Sequence, residues 1–189
     1  MKIEVIESTP LFLRFKLSGA DLSVANTIRR IAINSVPAFA VDSVTFYENG
    51  SSMFDEYIAH RVGLVPLVTP GKGYDEKDEI LFTLSAEGPS TVYSKDLKSN
   101  DKSVKVANDN IPIMKLAAGQ TLRLDGKAIM GTGSKSAKFQ AGLASYKVLS
   151  DDSYEFYIET FGQMPPAEIL SRALSIISDN VKEVYKELK

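Results

Sequence analysis

The sequence predicts an α+β protein in which both chain ends build one discontinuous domain around an inserted β-rich domain. Three observations carry that expectation. The first and last segments each read as a strand followed by an amphipathic helix. The middle instead breaks into short alternating segments separated by Gly, Pro, Asn and Asp. The chain has 189 residues, 44% hydrophobic and 24% charged, which suits one domain or two small ones and excludes a large multidomain enzyme. The expected boundaries are 1–38 with 153–189 for the discontinuous domain and 39–152 for the insert.

Leu11 to Leu17 alternates with period two, which places Leu11, Leu13, Phe15 and Leu17 on one face of a half-buried strand. Ser18 to Asp21 supplies a turn and a capping carboxylate. A helix is then expected from Leu22 to about Val36, stopping before Pro37. At about 100° per residue, Val24, Ala25, Ile28, Ile31, Ala32 and Val36 share one arc, and Asn26, Arg29, Arg30 and Ile33 fall outside it. In the insert, Asp42–Tyr47, Ile80–Leu84, Ser103–Ala107, Leu122–Leu124 and Leu143–Leu149 read as strands, with turn-rich loops at 69–75 and 87–90. Tyr154 to Thr160 alternates again, with Tyr154, Phe156 and Ile158 on one face. Gly162 and Pro165-Pro166 stop that strand and start the last helix. In that helix Leu170, Leu174, Ile177, Val181, Val184 and Leu188 recur at 4, 3, 4, 3, 4. Ile169, Ala173, Ile176 and Tyr185 widen the stripe to about half the circumference, so the helix is expected to meet two surfaces.

Acidic residues exceed basic ones by 24 to 22, the net charge is −2 and the pI is about 5.5, so the chain lacks the overall basic field that attracts phosphate backbones. There is no cysteine and one histidine, His60. Disulfides, thiolate nucleophiles, Cys-ligated zinc, iron–sulfur clusters and sites needing two imidazoles are excluded, so any metal would have to be bound by carboxylates alone; no cofactor is expected. With no leader-like N-terminus and no apolar run approaching about 18 residues, a cytosolic or nuclear protein is expected, neither secreted nor membrane-spanning, and of the two the cytoplasm is the expected location.

Three motifs bear on chemistry. Asp55-Glu56-Tyr57-Ile58-Ala59-His60-Arg61 pairs carboxylates with an imidazole at helical spacing, but nothing nearby supplies a nucleophile or an oxyanion donor. The plainer reading is a short polar helix docking on Val62–Leu67, with His60 and Arg61 in structural or interface hydrogen bonds. The glycine-rich run 126–138 fails as a phosphate loop, because Gly131 is followed by Thr132-Gly133 and not by Lys then Ser or Thr. Asn26, Arg29, Arg30 and Ile33 form a mixed amide, guanidinium and aliphatic face of the kind arginine favours at protein interfaces.

Four segments in order, 25–30 (ANTIRR), 37–42 (PAFAVD), 55–67 (DEYIAHRVGLVPL) and 156–166 (FYIETFGQMPP), resemble the D subunits of archaeal RNA polymerase. These are relatives of the bacterial α subunit's N-terminal domain and of the eukaryotic third-largest subunit. The segment Gly133 to Phe139 is similar to the family's glycine-rich loop, with Ser136 and Phe139 in place of its histidine and tryptophan. The absence of cysteine, and of room for an insertion between Tyr74 and Lys138, matches the short form without an iron–sulfur domain.

The resemblance implies a non-catalytic platform subunit, the magnesium centre belonging to the polymerase's largest subunit. The discontinuous domain is then the dimerisation domain, pairing with the α-like L subunit through Leu170, Leu174, Ile177, Val181, Val184 and Leu188. The second-largest catalytic subunit would be seated by Asn26, Arg29, Arg30, Ile33, His60 and Arg61. The small N and P subunits are further implied partners, and DNA would be met only through the assembled enzyme. The competing expectation is a free-standing module binding nucleic acid or protein, with Lys127, Lys135 and Lys138 as the nucleic-acid contact.

Overall fold

A computed structural model describes residues 1–75 and 77–188. In chain order the elements are β1 (Lys2–Ser8), β2 (Phe12–Ser18), α1 (Leu22–Asn34), β3 (Ala38–Asn49), α2 (Asp55–Gly63), β4 (Glu79–Glu87), β5 (Ser90–Tyr93), β6 (Lys98–Ser99), β7 (Pro112–Leu116), β8 (Thr121–Gly131), β9 (Gly142–Ser150), β10 (Ser153–Thr160) and α3 (Pro166–Glu187). The fold is mixed α+β with antiparallel sheets. It divides into two compact units, Met1–Pro37 with Thr132–Lys189, and Ala38–Gly131.

In the unit made from both chain ends, one sheet runs β1-β2-β10-β9. Period-two alternation sets its register: Leu13 faces Ile158, Phe15 faces Phe156 and Leu17 faces Tyr154 across the β2–β10 pair. All six are buried, and the Phe15 and Phe156 rings stack at 5.0 Å. Burying each such large side chain stabilises the fold by about 1.5–3 kcal/mol. Helix α1 packs on β9 and on α3, and α3 also packs on β10 and β2. Helix α1 starts where the Asp21 carboxylate accepts the Val24 N–H at 2.9 Å, a bond that holds its carboxyl below the ordinary carboxylate range. Helix α3 starts at Pro166, whose missing N–H costs nothing in a first turn.

The second unit has a β3-β8-β4-β6 sheet and a separate β5–β7 ribbon. Its core gathers Phe39, Val41, Phe82, Leu84, Leu122 and Leu124 from the sheet, with Ile58 and Val62 from α2. Helix α2 packs on β3 and β7.

Several expectations are corrected. The second boundary falls at 131/132 rather than 152/153, because Leu143–Leu149 belongs to β9, which pairs with β10 from Glu159↔Leu143 to Tyr154↔Val148. Ser103–Ala107 forms no strand: Asp101 Oδ1 takes the N–H groups of Ser103 (2.6 Å) and Val104 (3.2 Å), which leaves one isolated bridge, Leu67↔Val106. Leu11 is 66% exposed and precedes β2, since Thr9 Oγ1 accepts the Leu11 and Phe12 N–H groups in a local turn. Helix α1 ends at Asn34, short of Val36, which is nevertheless buried. Strand β1 is an addition to the expected elements.

Candidate functional site

Helix α1 presents its polar face as the winding requires. Arg29 donates through Nε (3.2 Å) and Nη2 (2.9 Å) to Asn26 Oδ1, so the guanidinium lies flat along the helix one turn from its anchor. Asn26, Arg29 and Ile33 are half-buried and Arg30 is exposed. Among the described residues neither Arg29 nor Arg30 enters an ion pair. Arg30 borders a shallow depression of about 380 Å³ with Thr27, Ile31, Asn34, Ser35 and Ser134. The surface thus offers guanidinium, amide and hydroxyl donors beside an aliphatic side chain.

The glycine-rich loop closes the end of that helix. Ser134 N–H donates to Asn34 O at 2.9 Å, giving a terminal helix carbonyl its partner. Gly133 approaches so closely that a Cβ there would lie 2.6 Å from Ile33 O and 2.9 Å from Gln140 Cγ. The N–H groups of Ser134, Lys135 and Ser136 are taken up by Asn34 O and Thr132 O rather than converging on an anion. Lys135 and Lys138 place their ammonium groups 5.6 and 5.3 Å from the Phe139 ring, and Lys127 pairs with Glu79 at 3.0 Å.

The six α3 positions expected to face a partner divide by exposure. Leu170 is 8% exposed and buried within the chain, as are Ile169 and Ala173, so it belongs to the core and not to a free surface. Leu174 and Ile177 are half-buried. Val181, Val184 and Leu188 are 63%, 60% and 80% exposed, with Tyr185 beside them. The helix has run past the surface that covers its first turns. A single apolar residue in water needs no explanation, but a continuous stripe at helical spacing is a surface of the kind that interfaces use.

A second apolar surface lies at the sheet edge, where residue spacing carried no signal of it. Ile3 and Val5 of β1 pair with Leu17 and Phe15 and so share their face, yet remain 39% and 60% exposed.

His60 and Arg61 belong to the other unit. His60 is exposed and borders a groove of about 500 Å³ with Ser52, Met53, Phe54, Tyr57 and Arg61. Arg61 is committed within its own unit: Nε donates to Ile113 O and Nη2 to Pro112 O, both at 2.6 Å, tying α2 to β7. A guanidinium satisfied by two backbone carbonyls is first a fold contact. Phe54 and Tyr57, 70% and 64% exposed with rings 6.3 Å apart, make the aromatic part of this surface, and no spacing pattern singles them out.

Among the described residues no group of three or more His, Asp or Glu side chains is placed to hold a metal ion, and no helix is long and apolar enough to cross a membrane.

A family model described as the RNA polymerase Rpb3/RpoA insert domain matches residues 31–155. The DNA-directed RNA polymerase subunit Rpo3 of Methanocaldococcus jannaschii is 48% identical over 170 residues, 90% of this chain and 87% of that protein. The Rpo3 of Thermococcus kodakarensis is 47% identical over 156 residues, and that of Methanosarcina mazei 40% over 157. Those matches cover 79% and 76% of this chain but only 60% and 59% of the relatives, so the chain spans under two thirds of their length.

Proposed function

We propose that this chain, which belongs to the Rpo3 family of archaeal RNA polymerase and is an RNA polymerase subunit, works as an assembly platform without catalytic groups of its own. The observation that carries this reading is the split of α3, whose first turns are buried in the chain and whose last turns hold Val181, Val184 and Leu188 in water. An α-like subunit of the L type is the partner that would cover this stripe. The Asn26/Arg29/Arg30/Ile33 face of α1, outside the buried arc of Ala25, Ile28 and Ala32, is then free to seat the second-largest subunit. His60, with Phe54 and Tyr57 beside it, gives a further contact surface for a large or small subunit, N and P among them. The proposed location is the cytoplasm, and DNA is met only through the assembled enzyme.

Co-expression with an L-type subunit tests the proposal. A one-to-one complex that then captures the second-largest subunit is expected. A chain that stays monomeric at micromolar concentration beside L, and instead binds DNA with strong salt dependence, would replace this reading with the free-standing module.

A further inference from the structure

Asn49 is followed by Gly50, the dipeptide in which an asparagine amide is lost most readily, because a glycine nitrogen meets no side chain on its way to the neighbouring carbonyl. In that reaction the Gly50 backbone nitrogen attacks Asn49 Cγ. An N–Cγ bond forms, the Cγ–Nδ2 bond breaks, and Nδ2 leaves as ammonia with the proton lost from Gly50 N–H. Water then opens the cyclic imide at either carbonyl, leaving aspartate or isoaspartate.

The fold opposes this step at both reacting groups. Gly50 N–H, the nucleophile, donates to Thr121 O at 2.8 Å. Asn49 Nδ2 donates to Met53 O (2.8 Å) and Asp55 Oδ1 (2.7 Å), while its Oδ1 accepts from Ser51 N–H (3.1 Å) and Ser51 Oγ (2.6 Å). Turning Cγ toward the Gly50 nitrogen breaks this set together. The same bonds make the amide structurally necessary. Helix α2 has Phe54 at its N-cap and no side-chain cap bond, so Asn49 is what ties the loop and first turn back to β3. A carboxylate at position 49 loses both donor bonds and sets a second negative charge against Asp55.

We propose that Asn49–Gly50 is a spontaneous deamidation site that the folded β3–α2 loop holds off, and that its reaction, once it occurs, irreversibly releases the loop that ends at Phe54 and its tie to the first turn of α2, which carries Tyr57. The site is thus a one-way mark on chains whose loop has opened.

The test holds the full chain at mildly alkaline pH, native and in urea, and follows the Asn49 peptide by mass spectrometry. Conversion to a mixture of aspartate and isoaspartate is expected in urea, with the native rate at least about tenfold lower, since the opening equilibrium sets the reactive fraction. Asp55→Ala should raise the native rate at least about threefold without changing the rate in urea. Ser51→Ala, which removes an acceptor-side tie without touching α2, is the parallel variant if Asp55→Ala folds poorly. Equal native and urea rates, no conversion in urea, or folded variants that react no faster than the parent would each overturn the proposal.

Discussion

The N–H of Ser134 donates to the carbonyl of Asn34 at 2.9 Å, so a loop far along the chain completes the C-terminus of α1. The contact needs Gly133 beside it, where a Cβ would sit 2.6 Å from Ile33 O, a backbone atom that cannot swing aside. Gly133→Ala should therefore cost about 1–3 kcal/mol, as overpacking does, and loosen the last turn of α1. Urea unfolding checks the cost, and hydrogen exchange at Ser35 and Ser134 checks its place. Unchanged protection at both amides would mean that the loop adapts freely.

Arg61 makes two short charge-assisted bonds to the carbonyls of Ile113 and Pro112. Arg61→Ala should lower the stability of the inserted unit by about 1–2 kcal/mol, because two carbonyls lose a shared donor. Arg61→Lys should recover less than half of that, since a single ammonium cannot reproduce the planar fork. Melting curves that do not distinguish the three chains would return Arg61 to the role of a pure interface residue.

Why some of this is legible in the sequence and some is not follows from what each residue touches. Strands β2 and β10 announce themselves because Leu13, Phe15, Leu17, Tyr154, Phe156 and Ile158 alternate over one covered face. Strand β1 does not, since Ile3, Val5 and Ile6 break alternation at the bulge between Val5 and Glu7 and the whole strand is exposed. Strand β9 hides its membership because Leu143, Val148 and Leu149 are exposed and only the pairing with β10 assigns it. The α1 face is readable from angular position alone. The commitments of Arg61 and Asn49 are not, because their decisive partners are backbone carbonyls and a loop geometry that no periodicity encodes.

Tyr74 donates its hydroxyl to Asp101, 3.0 Å from each carboxylate oxygen. The Ser103 N–H, followed by the Val104 N–H and Tyr74, holds the Asp101 carboxyl below its ordinary value of 3.8. A depressed folded-state pKa means stability that is fully present above 3.8 and is lost as pH falls through the folded value. Burial, with smaller opposed hydrogen-bond contributions from Ser103 and Asp101, raises Tyr74 above 10.0, so its contribution is present below 10.0 and lost as pH rises through the folded value. Asp101→Asn should accordingly lower Tm near neutrality, with the gap to the parent closing in acid. A gap of constant size down through the carboxylate range would show that the Asp101 charge is not involved.

Arg29→Ala with Arg30→Ala should leave the chain folded, because both side chains lie outside the buried arc and, among the described residues, Arg29 bonds only within its own helix face. Stability should move by no more than roughly 0.5 kcal/mol, as at ordinary surface sites. Capture of the second-largest subunit by the L-bound chain should fall by about a hundredfold or more, given that buried interface arginines are commonly worth about 2 kcal/mol or above. Undiminished capture by a normally melting double variant would make this face solvated surface only.

The sharpest contrast lies within α3, where one apolar stripe meets the chain's own core at one end and water at the other. Leu170 is buried in the chain, so Leu170→Ala should cost about 2–5 kcal/mol whether or not a partner is present. Val181 and Val184 are 63% and 60% exposed, so Val181→Asp with Val184→Asp removes nothing from the chain's own core. Valine and aspartate have similar helix propensities, and the added charge near the negative end of the helix dipole costs only a few tenths of a kcal/mol. In a partner's presence each aspartate would lose about 1.5–3 kcal/mol of apolar burial, so the pair should weaken association by roughly two to four orders of magnitude. Circular dichroism melting of the isolated chain and sedimentation of its mixture with an L-type subunit separate the two effects. The expected pattern is a normal melt with lost association for the double aspartate variant, and a lowered melt for Leu170→Ala. Retained association by the double aspartate variant would place the partner elsewhere, and loss of its cooperative melt would place the last turns of α3 inside the chain's own fold.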